Sequence, residues 1–121
     1  MQSCSFRLFL IATSIALGAL AWWALSALSG EREAWDSALY FVLVLPALTA
    51  GCALAGWNRM RGAAWIAPAF ALGEWSAMVA LAGGDLGIWP LGLAFTAVTH
   101  APAFGLALVL ARRPAPQASR G

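Results

Sequence analysis

The sequence predicts an all-α membrane protein, an antiparallel up-down-up-down bundle of four transmembrane helices. Three observations lead there. The 121 residues are 62% hydrophobic and only 10% charged, well outside the composition of a soluble globular domain. The apolar residues gather into four stretches of about 20 residues, the length a helix needs to cross a bilayer. Six of the seven basic residues, Arg7, Arg59, Arg61, Arg112, Arg113 and Arg120, fall on one side of a four-span threading, and only Arg32 falls on the other. By the positive-inside rule both termini are then cytoplasmic.

The first span is expected over residues 6–28. A cleaved signal peptide is the competing reading, but the apolar run exceeds the roughly 7 to 15 residues of a secretory core, so an uncleaved span is favoured. Trp22 and Trp23 are expected at its outer interface, where tryptophan gathers. The charged run from Gly30 to Asp36 ends that span. Asp36 is placed to cap the second span, 37–57, which carries Pro46 near its middle and so predicts a kink.

Asn58 to Gly62 is a short basic loop before the third span, 63–83. Gly83 to Gly87 turns the chain into the fourth, 88–111, where Pro90 suits the first helical turn. Residues 1–113 therefore read as a single transmembrane domain, and the polar 114–121 tail as disordered and cytoplasmic. Connections of roughly five to eight residues predict that consecutive spans are antiparallel neighbours.

Close backbone approach has to supply much of the attraction between helices in lipid. Small residues recur four apart at Ala47, Gly51 and Ala55, at Ala63, Ala67 and Ala71, and at Ala97, Ala101 and Gly105. These rows are candidate contact faces, although an alanine-rich chain also produces such rows by chance.

The chemistry centres on Glu74. A charged group at mid-bilayer costs at least about 2.5 to 3.5 kcal/mol, so it needs a partner, a protein interior or a proton. Glu74 lies roughly 13 Å, and His100 roughly 18 Å, from the outer ends of their helices at 1.5 Å per residue. Glu74 and His100 are therefore the candidate intramembrane polar pair, read either as a proton relay or cation point or as a packing hydrogen bond. Asp36, Tyr40 and Trp89 are candidates for an outer vestibule. Interfacial anchoring plus an N-cap explains the same residues separately. The remaining hydroxyl groups, including Ser14, Thr49, Ser76, Thr96 and Thr99, are expected to bond back to their own helices or across helix contacts.

No catalytic constellation is evident. Ser14, Ser26 and Ser76 have no motif around them, and a lone histidine makes no triad. Cys4 and Cys52 form no CxxC and are expected as free thiols, so neither a protein-only zinc site nor an iron–sulfur site is predicted. Haem ligation by two histidines would require a dimer. No cofactor is expected. A net charge of +2 is too small to argue for nucleic acid. The expected partners are the lipid bilayer and other membrane proteins or a second copy of the chain. All seven basic residues are arginine, a coding bias associated with GC-rich bacterial genomes, so a bacterial inner membrane is the expected location.

The run Asp36, Tyr40, Pro46, the Trp65 and Gly73–Glu74 region, and Ile88 to Gly92 followed by Pro102 resemble a group of small, uncharacterised four-span bacterial membrane proteins. The resemblance covers spans two to four and implies a topology without an activity. Small multidrug exporters carry their membrane carboxylate in the first span, where this chain has none. The glycine-rich and asparagine-containing signatures of fluoride channels are missing too. The leading expectation is a non-enzymatic accessory, assembly or self-associating protein. The alternative is a small transporter or proton-coupled carrier using Glu74 with His100.

Overall fold

The computed structural model describes residues 4–30, 37–81 and 89–114, with the side chains of Trp89 and Pro90 outside that description. Every regular element among them is helical. Helix α1 is Cys4–Ser29, α2 is Leu45–Trp57, α3 is Ile66–Leu81 and α4 is Trp89–Arg112. A π-helical turn, Tyr40–Val44, runs directly into α2, and a 3-10 turn, Ala63–Trp65, runs into α3. With those turns included, helices of 26, 18 and 19 residues, and the 22 residues Leu91–Arg112 of α4, are long and apolar enough to cross a membrane. Large apolar side chains such as Phe9, Val42, Leu54 and Val98 cover the outside.

The densest packing pairs α1 with α3 and α2 with α4, and α3 and α4 make a smaller contact. This corrects the expectation that consecutive spans are the closest neighbours. A connection only has to reach. Five extended residues cover about 16 to 18 Å, about twice the spacing of packed helices, so short loops do not dictate which pair packs tightest.

Close backbone approach decides it instead. A Cβ added to Gly18 would overlap the Phe70 carbonyl, and one added to Gly73 would overlap the Ile15 carbonyl. Only glycine fits this α1–α3 crossing. Contacts rise in step along the two helices, from Arg7 beside Gly62 to Trp22 and Leu25 near Ala77 and Met78. On the other side, a Cβ at Gly56 would stand 2.6 Å from the Ala107 carbonyl, and Leu48 and Cys52 pack with Ala67, Ala103 and Ala107.

The small-residue rows are used unevenly. On α3 and its leading turn, Ala63 and Ala67 are buried and Ala71 half-buried. On α2 only Ala55 is buried, while Ala47 and Gly51 face outward. On α4, Ala97 and Ala101 are exposed, and the face that packs is Gly92, Thr96, His100, Ala103 and Ala107. The physical reason is that α4 must bury Thr96 and His100, and these lie on a different face from Ala97 and Ala101.

One further expectation changes, and the broken backbone bonding at Pro46, near the middle of the Tyr40–Trp57 span, takes a specific form. Trp22 is 1% exposed and packs edge-on against Tyr40, 6.4 Å between ring centroids, so it belongs to the core; Trp23 remains exposed. Pro46 sits in the first turn of α2, after the π turn, where the Leu45 N–H donates to the Tyr40 carbonyl. A proline cannot complete the bond to the carbonyl four residues back, and the helix widens there. Asp36 and the 115–121 tail lie outside the described residues; Ser37 Oγ accepts the Leu39 N–H at 3.3 Å at the start of this helix. The hydroxyls do bond back as expected, Ser14 to Leu10 O, Thr49 to Leu45 O, Ser76 to Leu72 O and Thr96 to Gly92 O.

Candidate functional site: a buried Tyr40–Glu74–His100 cluster

Three helices converge on one carboxylate oxygen. The Tyr40 hydroxyl donates to Glu74 Oε2 at 3.0 Å, and His100 Nε2 stands 2.9 Å from the same oxygen. Tyr40 is 1%, Glu74 2% and His100 4% exposed.

Local structure explains each placement. Glu74 follows Gly73 directly, and successive residues on a helix point about 100° apart. With Gly73 pressed on α1, Glu74 is turned toward α2 and α4. Tyr40 owes its direction to the π turn. At about 100° per residue, the twelve positions from Tyr40 to Cys52 would leave the two side chains about 120° apart. A π turn accommodates roughly one extra residue and takes most of that rotation back. Tyr40, Val44, Leu48 and Cys52 consequently share the inward side.

His100 is held from its other nitrogen. Nδ1 lies 2.8 Å from the Thr96 carbonyl and 3.1 Å from Thr99 Oγ1, whose hydroxyl donates to the same carbonyl at 3.1 Å. A carbonyl only accepts, so in this network Nδ1 carries a hydrogen and Nε2 is left to face Glu74. The Nε2–Oε2 contact then requires one further proton, carried either by the imidazole or by the carboxyl. In both forms the pair is neutral overall, the condition under which low-dielectric burial is tolerable.

The cluster is incompletely satisfied. Despite this close approach His100 Nε2 makes no aligned hydrogen bond, and Glu74 Oε1 has no hydrogen-bond partner. Such orphaned buried atoms are uncommon and call for a reason. Aromatic rings wall the cluster, with Phe70 6.2 Å from the His100 ring and Trp22 against Tyr40.

Three apolar grooves run along the outside. One of about 470 Å³ lies between α3 and α4, with His100 and Thr96 at its floor and Ala97 and Ala101 in its wall. Another of about 520 Å³, between α1 and α2, is lined by Ala47 and Gly51. The third, of about 570 Å³, lies between α2 and α4 beside Pro46 and Pro102. Glu74 lines none of them.

Of the sequence-level candidates, Glu74 and His100 are thus brought into contact. The outer vestibule is not assembled from the described residues. Tyr40 turns inward to Glu74, Asp36 lies outside the described residues, and so does the Trp89 side chain. Thr96 and Thr99 were missed as positioning groups for His100. The spacing of four from Thr96 to His100, which stacks residues on one helix face, was the available signal. Among the described residues no group of three His, Cys, Asp or Glu side chains could hold a metal ion. No family model, no curated protein and no solved structure matches this chain.

Proposed function

We propose that the chain is a multi-pass protein of a bacterial inner membrane, threaded up-down-up-down with both termini cytoplasmic, that works without catalysis by docking its helices against a second copy or another membrane protein. Four helices of spanning length and the one-sided distribution of arginine support the threading. The observation that carries the docking reading is the unused small-residue surface. Ala47 and Gly51 on α2, and Ala97 and Ala101 on α4, face away from the bundle and line grooves. Such surfaces let another helix approach closely in lipid. The Tyr40–Glu74–His100 cluster then acts as an internal latch that keeps α2, α3 and α4 in the shape presented to the partner.

Crosslinking in native membranes tests this. Wild-type protein is expected to give a discrete dimer or heterocomplex, and Gly51→Leu with Ala101→Leu is expected to reduce it at least ten-fold while thermal unfolding of the bundle hardly changes. Recovery of monomer alone from the wild type would refute it.

One observation favours a second reading, a proton-coupled carrier. Glu74 Oε1 is buried without a partner, a poor arrangement for a mere latch and a natural one for a group that exchanges a proton or cation. On that reading Glu74→Gln abolishes a pH-dependent flux in proteoliposomes while folding survives, and an unchanged flux would remove it.

A further inference from the structure

The arginine-rich end of the bundle carries an arrangement that neither the latch nor the docking faces use. Helix α2 ends in a Schellman motif, with Arg59 N–H bonded to the Gly56 carbonyl and Met60 N–H to the Ala55 carbonyl. Its left-handed position, where glycine is favoured, is occupied by Arg59 at φ 54°. That backbone aims the Arg59 side chain across the end of α4. There its Nη2 donates to the carbonyls of Arg113 and Pro114, at 3.1 and 2.8 Å. Arg113 reaches the opposite way: its guanidinium lies 3.5 Å over the Trp57 ring and its Nη2 donates to the Trp57 carbonyl at 2.9 Å.

Two guanidinium groups are therefore fixed at one corner, each engaged through Nη2 although the fork offers five donors. No acidic side chain among the described residues neutralises their like charge there. The one acidic side chain described, Glu74, is buried in the cluster. The other four acidic residues, Glu31, Glu33, Asp36 and Asp85, belong by sequence to the connections α1–α2 and α3–α4. Neither of those connections is the α2–α3 loop that holds Arg59.

We infer that this corner is a binding site for the phosphodiester of an anionic phospholipid, gripped between Arg59 and Arg113. The planar fork of arginine matches phosphate oxygens in bidentate fashion. The exposed Trp57 ring beneath Arg113 is the kind of amphipathic side chain that settles at headgroup depth, and basic pockets between spanning helices on the cytoplasmic side are suited to such headgroups. Arg112 and Arg61, exposed nearby on the same ends, add to the local positive potential. The inference rests on the four-span reading, because only that reading puts the corner at headgroup level.

The test is reconstitution of the full chain into nanodiscs of phosphatidylcholine with and without phosphatidylglycerol, followed by native mass spectrometry of the lipids retained. Wild-type protein is expected to retain phosphatidylglycerol at least five-fold above its share of the bilayer. Arg59→Gln with Arg113→Gln is expected to abolish that enrichment, and Arg113→Lys, which keeps the charge but loses the fork and the flat stack, to leave less than half of it. Arg7→Gln with Arg61→Gln should leave it within two-fold. Equal loss in both double variants would mean a diffuse surface potential and would overturn the site, as would a wild type without preference. Failure to enter nanodiscs of either composition would overturn the four-span reading and the site with it, a result distinguishable from insertion without enrichment.

Discussion

Helix α3 is held on its two sides by opposite means, and the change comes between consecutive residues. At Gly73 it meets α1 backbone to backbone, where a Cβ would collide with the Ile15 carbonyl. At Glu74 it meets α2 and α4 through polar side-chain atoms, with the open α3–α4 groove alongside. The first contact gains dispersion from the absence of side chains. The second gains electrostatic attraction and pays for it in an oxygen left without a partner. Where backbones touch, side-chain size should govern stability; where they stand apart, the polar groups should.

The sharpest way to break this contrast is to put volume into the dry crossing. Gly73→Val and Gly18→Val each drive a branched side chain into a backbone carbonyl, which cannot swing away as a flexible side chain would. Overpacking costs about 1 to 3 kcal/mol and occasionally more, and these positions belong at the upper end. Thermal unfolding in detergent should show a larger destabilisation for these than for any single change in the polar cluster. A loss of less than about 1 kcal/mol, against that range, would mean that α1 and α3 do not cross at these glycines.

The polar side responds to chemistry and less to size. Glu74→Leu leaves the Tyr40 hydroxyl buried without its acceptor and takes away the close contact of His100 Nε2, and stranding buried polar groups costs about 1 to 3 kcal/mol. Glu74→Gln keeps an acceptor and should cost clearly less. Equal losses for the two substitutions would show that Glu74 contributes only volume. Tyr40→Phe removes one donor and should cost about 0.6 kcal/mol, the average for interhelical hydrogen bonds in membrane proteins. A cost above about 2 kcal/mol, beyond the largest value seen for such bonds, would assign the tyrosine a heavier share of the cluster.

What the residues alone make legible follows the same division. The four long apolar helices are legible because hydrophobic run length fixes them: the second span is expected at 37–57 and the helix runs from Tyr40 through Trp57. The meeting of Glu74 and His100 was accessible from depth alone, since two polar groups a turn apart on neighbouring helices have few other partners. The direction of Tyr40 is not legible, because it depends on a π turn and nothing in the residues other than Pro46 announces one. Trp22 was misplaced because tryptophan suits an interface and a core equally well by composition. The packing face of α4 was hidden by abundance: alanine and glycine make several rows on that helix, and the one that packs is chosen by the need to bury Thr96 and His100.

That last ambiguity sets the smallest and most discriminating prediction. Gly51 and Gly105 sit in rows that looked like bundle contacts, yet an added Cβ meets nothing within 4 Å at either position. Alanine is favoured over glycine in a helix by roughly 0.8 to 1 kcal/mol, so Gly51→Ala and Gly105→Ala should leave the bundle unchanged or slightly more stable by thermal unfolding. The same substitution at Gly56 should destabilise it, because there the Cβ would press on the Ala107 carbonyl at 2.6 Å. The three variants add the same methyl group to the same kind of helix, so any difference among them reports which face is packed. If Gly51→Ala or Gly105→Ala destabilised the isolated bundle as much as Gly56→Ala, the outward faces would be internal contacts and the surface assigned to partner helices would not exist. If instead they were neutral for stability but altered crosslinking in membranes, the rows would be confirmed as surfaces that act between molecules.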